Sequence, residues 1–248
     1  DLYPNVKFFV SGSSSLLLSK EALDRLAGRF FFLELKPLTF LEFLGMKGVP
    51  EGKLSESSRR MEALFSEYLM KSGFPEIAGW EDEPRIAEYI RNSVIDRVAL
   101  RDLPMTFGAR DAALAEKMMG LILSNPGLIV NINALSESLG RSKITISNYL
   151  RFLETSLLVR SLSNFRPGTL SSSRKLKKYY PATPSLIFAH DREAFRRNIG
   201  GVLETYVANA LGAKLYFREG KKEIDIILRD EETLPVEENL LHWKPEPW

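Results

Sequence analysis

The stretch "NINALSESLGRSKITISNYLRFLETSLLVRSLSNFRPG", residues 131–168, decides how this chain is read. "NINALSESLG" reads as a short helix, capped by Asn133 and stopped by Gly140. Ser142 can cap a longer helix, "SKITISNYLRFLETS", whose apolar face is Ile146, Leu150, Leu153 and Leu157. "LLVRSLSNFRPG" then supplies a strand and a turn. With a preceding helix over about residues 112–123, ending at "SNPG", this is the plan of a winged helix-turn-helix.

The charge pattern adds to that reading. Formal net charge is only +2. From Arg141 to Lys178 there are nine Lys or Arg and one acid, Glu154, so this segment is +8 and the rest sums to −6. A local anionic partner is one explanation and a solvated basic face the other. Lys143, Thr145, Ser147, Asn148 and Arg151 fall on or near the outward face of the longer helix, and Arg160 and Arg166 would flank the wing. Lys, Thr and Ser contact phosphates, while Asn and Arg also read base edges. The same surface would serve a protein-docking module. Tyr149 and Phe152 read as packing residues.

Upstream, "KFFVSGSSSLLLSKEALDRLAGRF", residues 7–30, reads as a buried strand, a small-residue turn and a helix capped by Ser19. A second β-rich run covers Phe30–Leu35. Pro37 breaks it, and Thr39 with Glu42 forms a capping box for a short helix. These pieces form the end of an α/β layer whose strands need partners. Residues 46–57 read as a linker. Met61, Leu64, Phe65, Tyr68 and Leu69 mark a helix ended by Gly73 and Pro75. Pro84 starts another, which runs to about Asp102. Downstream, "RKLKKYYPATPSLIFA" looks strand-like, "GGVLETYVANALG" is a helix, "KLYFREGKKEIDIILRD" is a hairpin turning at "EGKK", and "TLPVEENLL" offers a further strand.

The chain has no cysteine and only two histidines, His190 and His242, which excludes disulfides, thiolate metal sites and histidine-rich metal sites. No apolar run approaches the roughly 20 residues needed to span a bilayer, so no membrane role and a cytoplasmic location are expected. No secretory signal stands at the N-terminus.

The order of these pieces resembles one large prokaryotic family of predicted ATPases, with an AAA-type nucleotide-binding domain followed by a domain of unknown function. "FFVSGSSSLLLSKEALDRLAGRFFFLELKPLTFLEFL" is similar to the end of the ATPase core; "YLMKSGFPEI", "RDL", "ISNYLRFLETSLLV", "GGVLETYV" and "EIDIIL" are similar to landmarks of the domain that follows. The fold class implied is an α/β fragment of an AAA-type ATPase core at 1–45, a linker at 46–57, a helical region at 58–170 with the winged helix at about 112–170, and a small α+β restriction-endonuclease-like domain at 171–248. The resemblance makes Ser11 and Ser13 candidates for sensing the γ-phosphate or the attacking water. It makes Arg29 a candidate for neutralising charge on phosphoryl oxygens. No G-x-x-x-x-G-K-[ST] is present, so the phosphate-binding loop is expected upstream of Asp1. ATP and Mg²⁺ are then cofactors of the complete protein; this chain alone is expected to hold none and to be inactive.

Glu204, Asp225 and Glu237 form a second constellation. The D-x(11)-E spacing of the last two resembles the PD-(D/E)xK nuclease core, whose acids hold Mg²⁺. The position expected to carry lysine is Asn239, so a degenerate nuclease-like fold is the better reading. The leading function is a nucleotide-dependent switch carrying a winged-helix module that engages DNA or a protein partner. The alternatives are a DNA-binding regulator and, behind it, a metal-dependent nuclease. A homo-oligomer is compatible with either.

Overall fold

The computed structural model describes residues 6, 7, 9, 33, 35–49, 58–102, 104, 111–165, 173–220, 222–229 and 233–236. Ser11, Ser13, Arg29, Arg166, Glu237 and the cap read at Ser19 lie outside the described residues.

Helix α1 (Phe40–Met46) opens with the expected capping box: the Thr39 N–H donates to Glu42 Oε2 at 2.7 Å, and the Glu42 N–H to Thr39 Oγ1 at 3.3 Å. Helix α2 (Ser58–Lys71) ends before Gly73, whose φ of +93° turns the chain. Helix α3 (Glu83–Ile90) has Asp82 as N-cap and Pro84 in its first turn, and continues as π-helical turns Arg91–Asp96 and Val98–Asp102. Then follow α4 (Ala112–Ser124), β1 (Leu128–Asn131), α5 (Ile132–Leu139), α6 (Lys143–Thr155), β2 (Val159–Asn164) and β3 (Ser173–Pro181). The last group is α7 (Pro184–His190), α8 (Arg192–Arg197), α9 (Ile199–Ala210), β4 (Leu215–Glu219), β5 (Lys222–Arg229) and β6 (Thr233–Val236).

Several expectations are corrected. The N-cap of α5 is Asn131, not Asn133: its side chain accepts from the Asn133 and Ala134 N–H groups. Gly140 does stop that helix, in the left-handed conformation that needs no Cβ. Leu157 is not on the apolar face of α6. It sits beyond the helix end with φ +59° and is 54% exposed. "RKLKKYYPATPSLIFA" is a strand only as far as Pro181. Pro184 then starts α7, because its missing N–H costs nothing in a first helical turn.

Helix α7 is the hub. Every residue from Pro184 to Ala189 is buried, as befits a helix packed on all sides. Its first turn is pinned to the end of α2: Ser185 Oγ donates to the Ser72 carbonyl at 2.6 Å, and the Ser185 N–H to Ser72 Oγ at 3.2 Å. Its last carbonyls, of Ala189 and His190, both accept from the Arg91 guanidinium of the α3 extension, at 2.8 and 2.9 Å.

The six described strands lie in one sheet, in the order β1-β3-β2-β4-β5-β6. Every neighbouring pair is antiparallel except β2 and β4, which are parallel. The sheet therefore crosses the division read between residues 170 and 171, and β3 runs between β1 and β2. One face packs against α6 and the helical core. The other carries a smaller core of Leu162, Tyr180, Ala208, Ala213, Tyr216 and Ile226 beneath α9.

Candidate functional site

Side chains alternate across a strand. In β3 this sends Lys177 and Tyr179 toward α6, and Lys178 and Tyr180 toward α9. Lys178 is thereby only 3% exposed, and a buried ammonium persists only when paired. Its Nζ lies 2.9 Å from Glu204 Oε1 on α9, 2.9 Å from Glu223 Oε1 and 2.5 Å from Asp225 Oδ1, both on β5. The Tyr180 hydroxyl donates to the same Glu204 oxygen. Gly127 closes the floor, since a Cβ there would stand 3.1 Å from Lys178 Cε and 3.3 Å from Glu204 Oε1.

Burial works to lower the Lys178 ammonium, but Glu204, Asp225 and Glu223 overcome it and hold the group well above the ordinary lysine range. Burial pushes the Glu204 carboxyl up, opposed by Lys178 and Tyr180. Burial and then the Glu204 charge push the Tyr180 hydroxyl up. An ammonium has three N–H donors, and here three carboxylates accept from it. Lys178 thus acts as a fixed cation between Glu204 and Asp225, with no proton left to offer a substrate.

The structure brings together two of the three acids read from the sequence, Glu204 and Asp225. It adds Lys178 and Glu223, which the sequence reading missed. The available signal was "KLKKYY": of two adjacent lysines in a strand, one must face inward. Among the described residues no group of His, Cys, Asp or Glu is arranged to hold a metal ion.

A second candidate surface is the outer face of α6. Ile146, Tyr149, Leu150, Phe152 and Leu153 are buried. Lys143, Ser147 and Arg151 are exposed and Asn148 is half-buried. Thr145 is half-buried, and its hydroxyl shares a 2.9 Å hydrogen bond with the capping Ser142. Ser147 and Arg151 also border a groove of about 210 Å³, walled by Leu150, Lys177 and Tyr179 among others. Arg160 stands opposite Tyr180 in the register, so it belongs to the α9 face of the sheet, away from α6. Part of the basic segment is already neutralised: Arg141 pairs with Asp111 at 2.8 Å, Lys177 with Glu154 at 3.1 Å, and Lys178 as above.

His190 Nε2 lies 3.1 Å from Ser124 Oγ, and burial and then Arg91 hold its imidazole below the ordinary range. No catalytic triad follows from this pair. The adjacent Asp191 spends its carboxylate capping α8, accepting from the Ala194 N–H at 2.9 Å.

Residues 1–44 match the family described as "AAA domain". Residues 62–193, more than half of the chain, match the family described as "Domain of unknown function (DUF8612)", and the chain belongs to that family. It is 32% identical to an uncharacterized protein of Haemophilus influenzae over 62% of this chain and 38% of the relative. It is 29% identical to the uncharacterized protein MJ1544 of Methanocaldococcus jannaschii over 80% of this chain and 45% of the relative. The chain spans less than half the length of these curated relatives. No solved structure matches it. No described helix is long and apolar enough to cross a membrane.

Proposed function

We propose that this chain is the C-terminal part of an AAA-type ATP-binding protein that works as a nucleotide-dependent switch, and that residues 112–181 are its winged-helix interaction module. The observation that carries the reading is the AAA match at 1–44 running into the family domain at 62–193. The module reading is supported by the order α4-β1-α5-α6-β2-β3, with the strands arranged β1-β3-β2 and the αL glycine Gly140 between α5 and α6. In a protein that also carries the phosphate-binding loop, Ser11, Ser13 and Arg29 would sense bound nucleotide, with Mg²⁺ as its counterion. The partner of the module is duplex DNA or another protein.

DNA binding gains specific support from α6, whose exposed Lys143, Ser147 and Arg151 and half-buried Asn148 share one helix. A nuclease reading is weaker, because Lys178 already occupies the space between Glu204 and Asp225. Glu204, Asp225 and Glu237 are then the remnant of a nuclease-like acidic set.

The test uses the longer protein with its phosphate-binding loop. Hydrogen exchange over residues 143–155 should differ between ATP- and ADP-loaded states. Ser13→Ala or Arg29→Ala should slow hydrolysis more than it weakens nucleotide binding. Exchange that is the same in both states would overturn the switch.

A further inference from the structure

We infer that Ile144 is the apolar base contact of α6, set to meet the C5-methyl group of a thymine in the major groove of duplex DNA; this rests on the winged-helix reading with DNA as partner. Ile144 is 76% exposed in the first turn of α6. The fold does not use it there: the cap is made by Ser142 with Thr145, and the core by Ile146, Leu150 and Leu153. Single exposed apolar residues are ordinary on protein surfaces. What distinguishes this one is its company.

Positions 144, 147, 148 and 151 follow the i, i+3, i+4, i+7 spacing of one helical stripe. The stripe therefore carries Ile144, Ser147, Asn148 and Arg151, with Lys143 at its N-terminal edge. A thymine presents a methyl group and a carbonyl in the major groove, and an adenine presents an edge that an Asn amide matches. Ile144 and Asn148, one turn apart, suit an A·T-containing site. Lys143 and Arg151 suit the phosphates. Charge complementarity favours DNA over an apolar protein seat: Glu154, the acid of α6, is taken by Lys177, so it does not oppose Arg151 across the stripe.

The experiment selects a duplex from a random library with the whole chain, then replaces each thymine of that site in turn by deoxyuridine, which lacks only the methyl. In the unmodified chain one such replacement should weaken binding about fourfold, the worth of one buried methyl. Ile144→Ala should weaken the thymine duplex comparably or more and show no further loss with deoxyuridine. Because Ile144 is exposed, this variant should keep its melting temperature. Lys143→Ala with Arg151→Ala should weaken every duplex alike and flatten the log–log salt slope by about one to two units. Salt-dependent selection of a duplex that is indifferent to deoxyuridine at every position overturns the Ile144 contact and leaves DNA binding standing. A chain that retains no duplex, or a protein partner lost on Ile144→Ala, overturns the DNA reading itself.

Discussion

Lys178 on β3 and Glu204 on α9 meet at 2.9 Å, joining the strand between β1 and β2 to the helix that covers the far face of the sheet. Breaking a buried pair by removing one partner costs far more than the pair contributes, because the other charge stays behind. Lys178→Met should therefore destabilise the fold by about 3 kcal/mol. Adding Glu204→Gln should return part of that loss. Urea denaturation of both variants measures it.

Gly127→Ala tests the floor of the same cluster. Gly127 has φ +80°, and the added methyl would crowd Lys178, Glu204 and Tyr180. The left-handed backbone alone costs about 1 to 2 kcal/mol for a residue with a Cβ. The variant should melt lower than the parent, whereas Ala at an open, negative-φ glycine such as Gly79 should not.

Alkaline pH should unfold the protein through these same groups. The Lys178 ammonium titrates above its ordinary 10.5, and Tyr68, Tyr179 and Tyr180 above their ordinary 10.0. The folded state thus binds more protons than the unfolded one there, so stability falls as pH rises. The contribution is complete below pH 10 and is lost progressively above it. Melting temperatures between pH 8 and 11 should decline only past about 10. In Lys178→Met the decline should be shallower.

The cap assignment is directly testable. Asn131→Ala removes the acceptor for two N–H groups of α5 and should cost about 1 kcal/mol. Asn133→Ala, at an exposed position inside the helix, should cost little. Thermal melts of the two variants compared side by side would reverse the assignment if Asn133→Ala proved the costlier.

Helices α1, α3 and α6 were legible because their signals are local, whereas α7 was read as strand and α8 was not read at all. Thr39 with Glu42, Pro84, and Ser142 each mark a helix start within a few residues of sequence. The cap of α5 was read at Asn133, two residues late, because an asparagine stands at both positions and only the backbone shows that Asn131 takes the cap. Strand β1 escaped notice because four residues, "LIVN", carry no periodicity, and their partner lies some fifty positions away in β3. The acids Glu204 and Asp225 were found by spacing. Lys178 was not, because its place among them depends on the pairing of β3 with β2 and of β2 with β4, which no local pattern encodes. Arg160 was read as flanking the wing; the register opposite Tyr180 puts it on the α9 face of the sheet, which no local pattern shows.

The parallel pairing of β2 with β4 has a mechanical consequence. Helix α6 rests on one side of the sheet and α9 on the other, with Lys178 bonded across the strands between. The two helices behave as fittings on a single plate. Tilting α6 away from that plate would break its Glu154–Lys177 ion pair and uncover the buried Ile146, Leu150 and Leu153.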